Sequence, residues 1–181
     1  MKKIFFILSL VAATGSLFAQ KKTTTSATIS FDASTAIDNL PKADNKTVVA
    51  AIDTKTGAVQ FEANVKNFAF KNPMMQEHFN GEKWLNSSQH PTFTFKGNIV
   101  DLSAVNFAKD GSYKTDVEGV LTVKGQSQKV KVPGTVVVNG NSLTTTANFS
   151  IALADYGITG AAIDGGKVSK NPKITVTADF K

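Results

Sequence analysis

Apolar and polar residues alternate along most of the chain, with the period of two that is typical of half-buried β-strands. The longest alternation places one face at Tyr113, Thr115, Val117, Gly119, Leu121 and Val123. Similar alternation predicts further strands near residues 27–32, 48–53, 59–65, 68–70, 92–102, 130–138, 143–153 and 174–180. Several of these strands follow one another through short turns. The pair Asn139-Gly140 is a strong hairpin signal between two of them.

Three stretches lack a clear alternation. We expect residues 20–26 to form a frayed polar leader, residues 33–47 a connection, and residues 157–171 a glycine-containing loop. The apolar phase also shifts between Val65 and Phe68. A bulge near Lys66-Asn67 is predicted there, because an extra residue moves the following side chains to the other face.

Residues 65–96 contain the clearest helix signal of the chain. Asn72 can cap the helix, Pro73 suits its first position, and Gly81 can end it in a left-handed conformation. Strand patterns precede and follow this stretch. The sequence therefore predicts a short helical lid between two strands.

About eight strands and one helix predict an all-β fold. Eight antiparallel strands can close into a barrel that holds packed side chains or one small ligand. The last predicted strand could pair with the first and remove the open edges. We therefore predict an eight-stranded antiparallel barrel with one short helical lid, and a two-sheet sandwich is the alternative.

The first 19 residues resemble a signal peptide. Lys2 and Lys3 precede an apolar run, and Leu17-Phe18-Ala19 is a plausible cleavage site. Residues 20–181 then form a single domain that is exported to the periplasm, with an extracellular location as the alternative. The apolar run is shorter than a membrane-spanning helix. The chain has no cysteine, so its fold must be stable without disulfides.

The charge of the chain is mildly positive. All 20 basic residues are lysine, against 14 acidic residues. The lysines are scattered along the predicted strands, as on solvated sheet faces. Without arginine or a basic run interleaved with aromatic residues, nucleic-acid binding is not expected.

No arrangement of residues indicates catalysis. The two histidines, His78 and His90, have no nucleophile motif nearby, and with Glu77 and Glu82 they do not match a metal-binding spacing. His78 suits the end of the predicted helix, and His90 a loop. We expect no enzyme activity, no metal and no cofactor.

A set of large apolar residues around the predicted lid is the one feature that could carry function. We assign an apolar ligand-binding surface to Phe68, Phe70, Met74, Met75, Phe79, Trp84, Leu85, Phe93 and Phe95. Methionine adapts its shape and often lines promiscuous apolar sites. Three lysines near the lid are candidates to bind a headgroup: Lys71, Lys83 and Lys96. The alternative is that these apolar residues form ordinary core.

Three segments resemble the YceI-like family. They are Met75 to Phe95 with its late His-Pro-Thr-Phe-Thr-Phe, the hairpin Gly119-Val-Leu-Thr-Val-Lys-Gly-Gln-Ser-Gln-Lys-Val, and the late strand Phe149-Ser-Ile-Ala-Leu-Ala-Asp-Tyr-Gly-Ile. The resemblance covers roughly residues 59–180, while the N-terminal third departs from the family pattern. It implies a lipocalin-like periplasmic barrel that holds a polyisoprenoid chain.

Three functional hypotheses follow. The first is an exported lipid-binding protein that sequesters or transports an isoprenoid or similar apolar chain. The second is a structural or interaction barrel filled by its own rings, with Phe61, Phe95, Phe149 and Phe180 meeting at the centre. The third is a hydrolase that uses His78 or His90. The oligomeric state is open, and a homodimer is one alternative.

Overall fold

The structure is a computed structural model, and it describes residues 20–181. Its strands are β1 (Lys21–Asp32), β2 (Lys42–Asp53), β3 (Ala58–Asn64), β4 (Ala69–Phe70), β5 (Thr92–Ile99), β6 (Gly111–Val123), β7 (Gln126–Asn139), β8 (Ser142–Ser150) and β9 (Lys173–Phe180). Its α-helices are α1 (Pro73–Asn80) and the one-turn α2 (Ala161–Asp164). The predicted signal peptide lies outside the described residues.

Eight of the strands form a closed antiparallel barrel. Their order around the barrel is β1, β2, β3, β5, β6, β7, β8 and β9, and β9 pairs with β1 to close the ring. The short β4 pairs only with the start of β2, through Phe70 and Ala43. The predicted barrel, its closure by the last strand and its single short helical lid are confirmed.

The barrel has two different ends. At the lid end, β1 finishes beside the start of β2, with Asp32 opposite Lys42, and α1 lies in the connection between β4 and β5. We call residues 71–91 of that connection the lid segment. At the far end lie the start of β1, the hairpin between β7 and β8, and the end of β9.

Inward-facing side chains from all eight strands form the wall of the interior. One pair of positions lacks side chains, because Gly97 of β5 lies opposite Gly119 of β6. A Cβ on Gly119 would lie 2.4 Å from the carbonyl oxygen of Lys96 and 2.8 Å from Cζ of Phe95. The two glycines therefore let the backbones approach closely and let the Phe95 ring lie against the wall.

The N-terminal strands are longer than the sequence pattern predicts. The sequence pattern predicts a frayed leader at residues 20–26, but β1 starts at Lys21, which pairs with Asp53. Likewise, β2 starts at Lys42, inside the predicted connection. Cross-strand pairing stabilises these polar segments, and local alternation does not report such long-range contacts.

The predicted change of phase after β3 is a 3₁₀ turn at Val65–Asn67 instead of a bulge. Buried Asn45 holds this turn, because its Nδ2 donates to the carbonyl oxygen of Asn64 at 2.9 Å. Asn45 Oδ1 also accepts from the backbone N–H and hydroxyl of Thr47 at 3.0 and 2.9 Å. The turn leaves both Val65 and Phe68 buried.

The start of the helix agrees with the sequence, but its end does not. Asn72 Oδ1 accepts from Met74 N at 2.9 Å, and Pro73 occupies the first turn. Gly81 is extended, with φ of −64°, so its predicted left-handed conformation is wrong. Two later backbone N–H groups bond to its carbonyl oxygen, and Asn86 adopts the positive φ instead.

Other strand and loop boundaries in the structure also differ from those predicted from the sequence. Strands β5 and β8 end at Ile99 and Ser150, and 3₁₀ turns follow at Leu102–Ala104 and Leu153–Tyr156. The central residues of the β7–β8 turn are Gly140 and Asn141 instead of Asn139-Gly140, because Asn139 pairs with Ser142. The predicted loop at 157–171 contains α2. Each shift is a local turn at a strand end, where alternation carries little information.

Candidate ligand-binding cavity

The barrel encloses a cavity of about 150 Å³. It extends from Phe79 and Trp84 at the lid end to Phe180 at the far end. Thirty-three residues line it, of which 27 are apolar, one is Gly134, and five are threonines. None of these side chains carries a charge. The interior is therefore an apolar environment that runs along the barrel.

A cluster of aromatic rings covers the lid end of this cavity. The ring of Phe79, the only buried residue of α1, lies at the centre of the cluster. Its centroid is 4.8 Å from that of Phe70, 5.7 Å from those of Phe31 and Phe68, and 6.2 Å from that of Trp84. Such distances are typical of favourable aromatic pairs. The helix is thus attached to the barrel mainly through one ring.

Six of the nine predicted apolar site residues line the cavity. They are Phe68, Phe79, Trp84, Leu85, Phe93 and Phe95. Phe70 lies behind Phe79 without lining the cavity, and Met75 is half-buried on α1. Met74 is 63% exposed. A helix of eight residues directs one side inward, and the sequence did not indicate which side that is. The ligand-binding role of the six residues stays a prediction.

The three predicted headgroup lysines do not line the cavity. Lys71 and Lys83 are exposed in the lid segment. Lys96 is exposed on β5 between Phe95 and Gly97, and its side chain lies on the outer face of the barrel. The structure therefore does not bring these three lysines together around the cavity.

Most residues of the cavity wall were not among the predicted ligand-binding residues. Strands β6 to β9 contribute the larger share, including Val117, Leu121, Val132, Phe149 and Val176. The alternation had placed several of these residues on an inward face. Their membership in the cavity follows from closure of the barrel, which turns every inward face towards the same space.

The titratable groups lie away from the cavity. His78 is exposed on α1, and the imidazole of His90 packs against Gly125 in the β6–β7 turn. No group of three metal-ligating side chains occurs within residues 20–181. Burial, with a smaller contribution from Asp155, raises the pKa of Tyr156 to about 12. Tyr156 does not line the cavity.

The Asp32 carboxylate also lies away from the cavity. Burial raises the pKa of Asp32, but hydrogen bonds from Ser34 and the ammonium group of Lys42, 3.1 Å away, outweigh it and lower that pKa overall. This pair lies at the lid end between β1 and β2. It links the end of β1 to the start of β2 on the surface of the barrel.

The fold and the cavity define a closed antiparallel β-barrel with an apolar interior, a class that includes small binding proteins. Comparison with family models gives the family itself. Residues 12–180 match the model of the YceI-like domain, so the chain belongs to the YceI-like family. No curated protein sequence matches the chain.

Solved structures share this fold at low sequence identity. BcnA from Burkholderia cenocepacia is 22% identical, with a TM-score of 0.72, over 86% of this chain and 96% of that chain. A polyisoprenoid binding domain from Saccharophagus degradans, implicated in plant cell wall breakdown, is 14% identical, with a TM-score of 0.74, over 90% and 98%. A YceI protein from Campylobacter jejuni is 14% identical, with a TM-score of 0.54, over 99% and 94%.

The helices of the described region are short. Within residues 20–181, none is long and apolar enough to cross a membrane.

Proposed function

We propose that the protein binds an isoprenoid or similar apolar chain inside the barrel, and that it sequesters or carries this chain in the periplasm. The observation that carries the proposal is the uncharged cavity that runs between the ends of the barrel. Membership of the YceI-like family and the polyisoprenoid binding domain among the structural neighbours support it. The proposed export rests on the signal-peptide pattern of residues 1–19.

The energetics of a chain ligand are favourable. Each buried methylene contributes about 0.8 kcal/mol, so a five-carbon unit contributes about 4 kcal/mol. Association and ordering cost about 4 to 15 kcal/mol. The cavity volume of about 150 Å³ accommodates about one such unit, which offsets the lowest part of that range, and each further unit that the barrel admits would add about 4 kcal/mol.

The cavity also bears on the filled-barrel alternative. That alternative requires Phe61, Phe95, Phe149 and Phe180 to meet at the centre of the barrel. All four rings line the cavity without closing it. The close ring pairs found in residues 20–181 are at the lid end instead, around Phe79. This arrangement favours a binding role over a structural one.

A binding role is also favoured over a catalytic one. Neither His78 nor His90 lines the cavity, and the wall contains no carboxylate, amine or imidazole. General acid–base catalysis needs such a group within hydrogen-bond reach of the reacting atoms. We therefore propose that a bound molecule leaves the barrel chemically unchanged.

Native mass spectrometry with organic extraction tests the proposal. The protein is purified without detergent from the periplasm of its own cells, and its mass is compared before and after extraction. We expect an apolar chain to be released. An unmodified mass that stays unchanged after incubation with isoprenoid quinones and polyprenyl phosphates would contradict the proposal. Absence of the protein from the periplasmic fraction would contradict the proposed location alone.

A further inference from the structure

We propose that a ligand chain enters the barrel sideways, through a gap in the wall between β7 and β8, and that a groove on the outer side of this gap binds the polar end of the chain. This inference rests on the proposed function for the identity of the chain. It adds a second binding site, on the side of the barrel, for an uncharged hydrogen-bonding group such as a hydroxyl or a carbonyl.

The first step is the gap itself. The ladder between β7 and β8 runs along the far half of both strands and ends at the pair Gly134 and Ala147. Closer to the lid end, in the described part of the chain, β7 continues beside β6 only, and β8 continues beside β9 only. A hydrogen bond from Gln128 Nε2 to the carbonyl oxygen of Asp155, at 2.8 Å, ties β7 to the β8–β9 connection again. The unpaired stretch of β7 between Gln128 and Gly134 is about 20 Å long.

The second step is the sequence at the edge of this gap. Pro133 follows the last paired residue of β7 on the lid side. Proline has no N–H to donate to a neighbouring strand, and within sheets it is found at edges and bulges. Gly134 has no side chain, and the residues opposite it are small, Ala147 on β8 and Thr115 on β6. The wall is therefore thin where the ladder ends.

The third step is the groove outside this wall, which we call the outer groove. It lies on the outer face of β6, β7 and β8 beside residues 100–104, and its volume is about 650 Å³. Four residues line both the outer groove and the cavity: Thr115, Gly134, Thr135 and Thr146. The two spaces therefore adjoin at the end of the β7–β8 ladder.

The fourth step is the chemistry of the outer groove. Unlike the cavity, it is lined by charged side chains, those of Lys114, Asp101 and Asp116, and by the amide of Asn148. The two carboxylates already have partners, a serine hydroxyl at 2.6 Å from Asp101 and the ammonium group of Lys131 at 3.2 Å from Asp116. One ammonium group against two carboxylates does not favour an anion. The amide and the threonine hydroxyls can donate and accept hydrogen bonds, which suits an uncharged polar group.

The fifth step is that both ends of the barrel are covered by buried side chains. At the lid end, Phe79 of α1 is joined by Leu153 and Ile158 of the β8–β9 connection, which are each 2% exposed. At the far end, Phe180 is 1% exposed. A chain that passed through either end would have to displace such groups. At Gly134 there is no side chain to displace.

The sixth step is a comparison of volumes. The cavity of about 150 Å³ accommodates about one five-carbon unit. A longer chain must therefore continue outside the cavity. The outer groove is more than four times as large and adjoins the cavity at the gap, so it can take the remainder of the chain and its end group.

A disulfide across the gap tests the route, because the chain has no cysteine of its own. In Pro133→Cys/Asn148→Cys, the disulfide joins the two positions that directly follow the last ladder pair. Exchange of farnesol is followed through the emission of Trp84, the only tryptophan, which lines the cavity. We expect association and dissociation to be at least about tenfold slower in the oxidised form than in the reduced form of the same variant. The control Thr28→Cys/Thr177→Cys joins a paired position of β1 and β9 and should exchange equally fast in both forms.

A second measurement locates the polar end of the ligand. Lys114→Cys in the outer groove and Ala108→Cys at an exposed turn are labelled with a maleimide in the presence and absence of farnesol. Farnesol should slow labelling of the first variant by about tenfold and leave the second unchanged, and farnesyl diphosphate should bind at most about threefold more tightly than farnesol. This measurement decides alone if the disulfide does not form.

Other outcomes separate this inference from the proposed function. Equal exchange rates of the oxidised and reduced forms, or labelling of Lys114→Cys that farnesol does not slow, would overturn the inference while farnesol binding still supports the proposed function. Faster exchange in Asn72→Ala, which loses the cap of α1, would place the route at the lid and overturn it too. A preference of more than about tenfold for the diphosphate that Lys114→Ala removes would overturn the uncharged end group. If neither farnesol nor a longer prenol binds the folded protein, the proposed function fails as well.

Discussion

Position 147 separates binding in the cavity from stability of the barrel. Ala147 lies in the middle of β8, opposite Gly134 of β7 and Val176 of β9, and all three residues line the cavity. Because Gly134 has no side chain, the wall leaves room beside Ala147. The substitution Ala147→Leu would place three more carbons in this space, across the path of a bound chain.

The expected effect on stability is small. Three buried carbons contribute up to about 2.4 kcal/mol, and imperfect packing removes about 1 to 3 kcal/mol. We therefore expect the free energy of unfolding to change by about −0.6 to +1.4 kcal/mol, which corresponds to an increase in Tm of at most about 6 °C. Ligand binding should fall sharply, because the three added carbons occupy more than half the volume of a five-carbon isoprene unit.

Two measurements check this prediction. Thermal unfolding is followed by circular dichroism with and without farnesol, and binding is followed through Trp84 emission. The matched control Ala108→Leu makes the same substitution at an exposed turn residue and should change neither property. Unchanged ligand binding by Ala147→Leu would refute the assignment of the site to the cavity. A loss of more than about 2 kcal/mol would refute the inferred space at this position.

Three further substitutions test other parts of the structure. Phe79→Ala should release α1 from the barrel, because this helix has no other buried residue. The backbone amides of α1 should then exchange hydrogen much faster, while the urea midpoint for unfolding of the barrel changes little. A large drop in that midpoint would contradict the local role of Phe79. Asn45→Ala should cost about 1 to 3 kcal/mol in urea unfolding, because it removes the hydrogen bonds that the buried Asn45 side chain makes with Asn64 and Thr47, and Asn148→Ala on the outer face should cost less. Tyr156→Phe should remove a loss of stability at high pH: the raised pKa means that stability is present below pH 10 and is lost as pH rises from 10 to about 12. At most about 3 kcal/mol is involved, so equal pH profiles of variant and wild type in urea unfolding would contradict the assignment.

The features that local physics controls could be predicted from the sequence. Alternation identified the inward faces of the barrel, because the period of two is a property of each strand alone. Asn72 and Pro73 located the start of α1, since capping depends on neighbouring residues. Closure by the last strand was predicted from the number of strands, because an open sheet leaves unpaired backbone groups at its two edges. Together, these local signals predicted the barrel architecture and the position of its helical lid.

Features that depend on distant contacts could not be predicted. The polar residues 21–26 form a strand only because β2 lies beside them. Met74 and Phe79 lie on the same short helix, yet one is exposed and the other is buried, and only the position of β1 and β4 beneath the helix decides this. The lysines were assigned by their nearness in sequence to the lid. Pleating directs Lys96 outward, which the alternation around Phe95 already implied.

The barrel directs both ends of the described chain away from the lid. Strand β1 starts and strand β9 finishes at the far end, where Thr28 pairing with Thr177 places Lys181 close to the first residues of β1. A tether at either end would therefore hold the molecule with α1 pointing outward. Immobilised copies would then all present the lid end of the barrel to the solution. A short linker joining residue 20 to residue 181 would also allow circular permutation, because the linker would not cross the lid end.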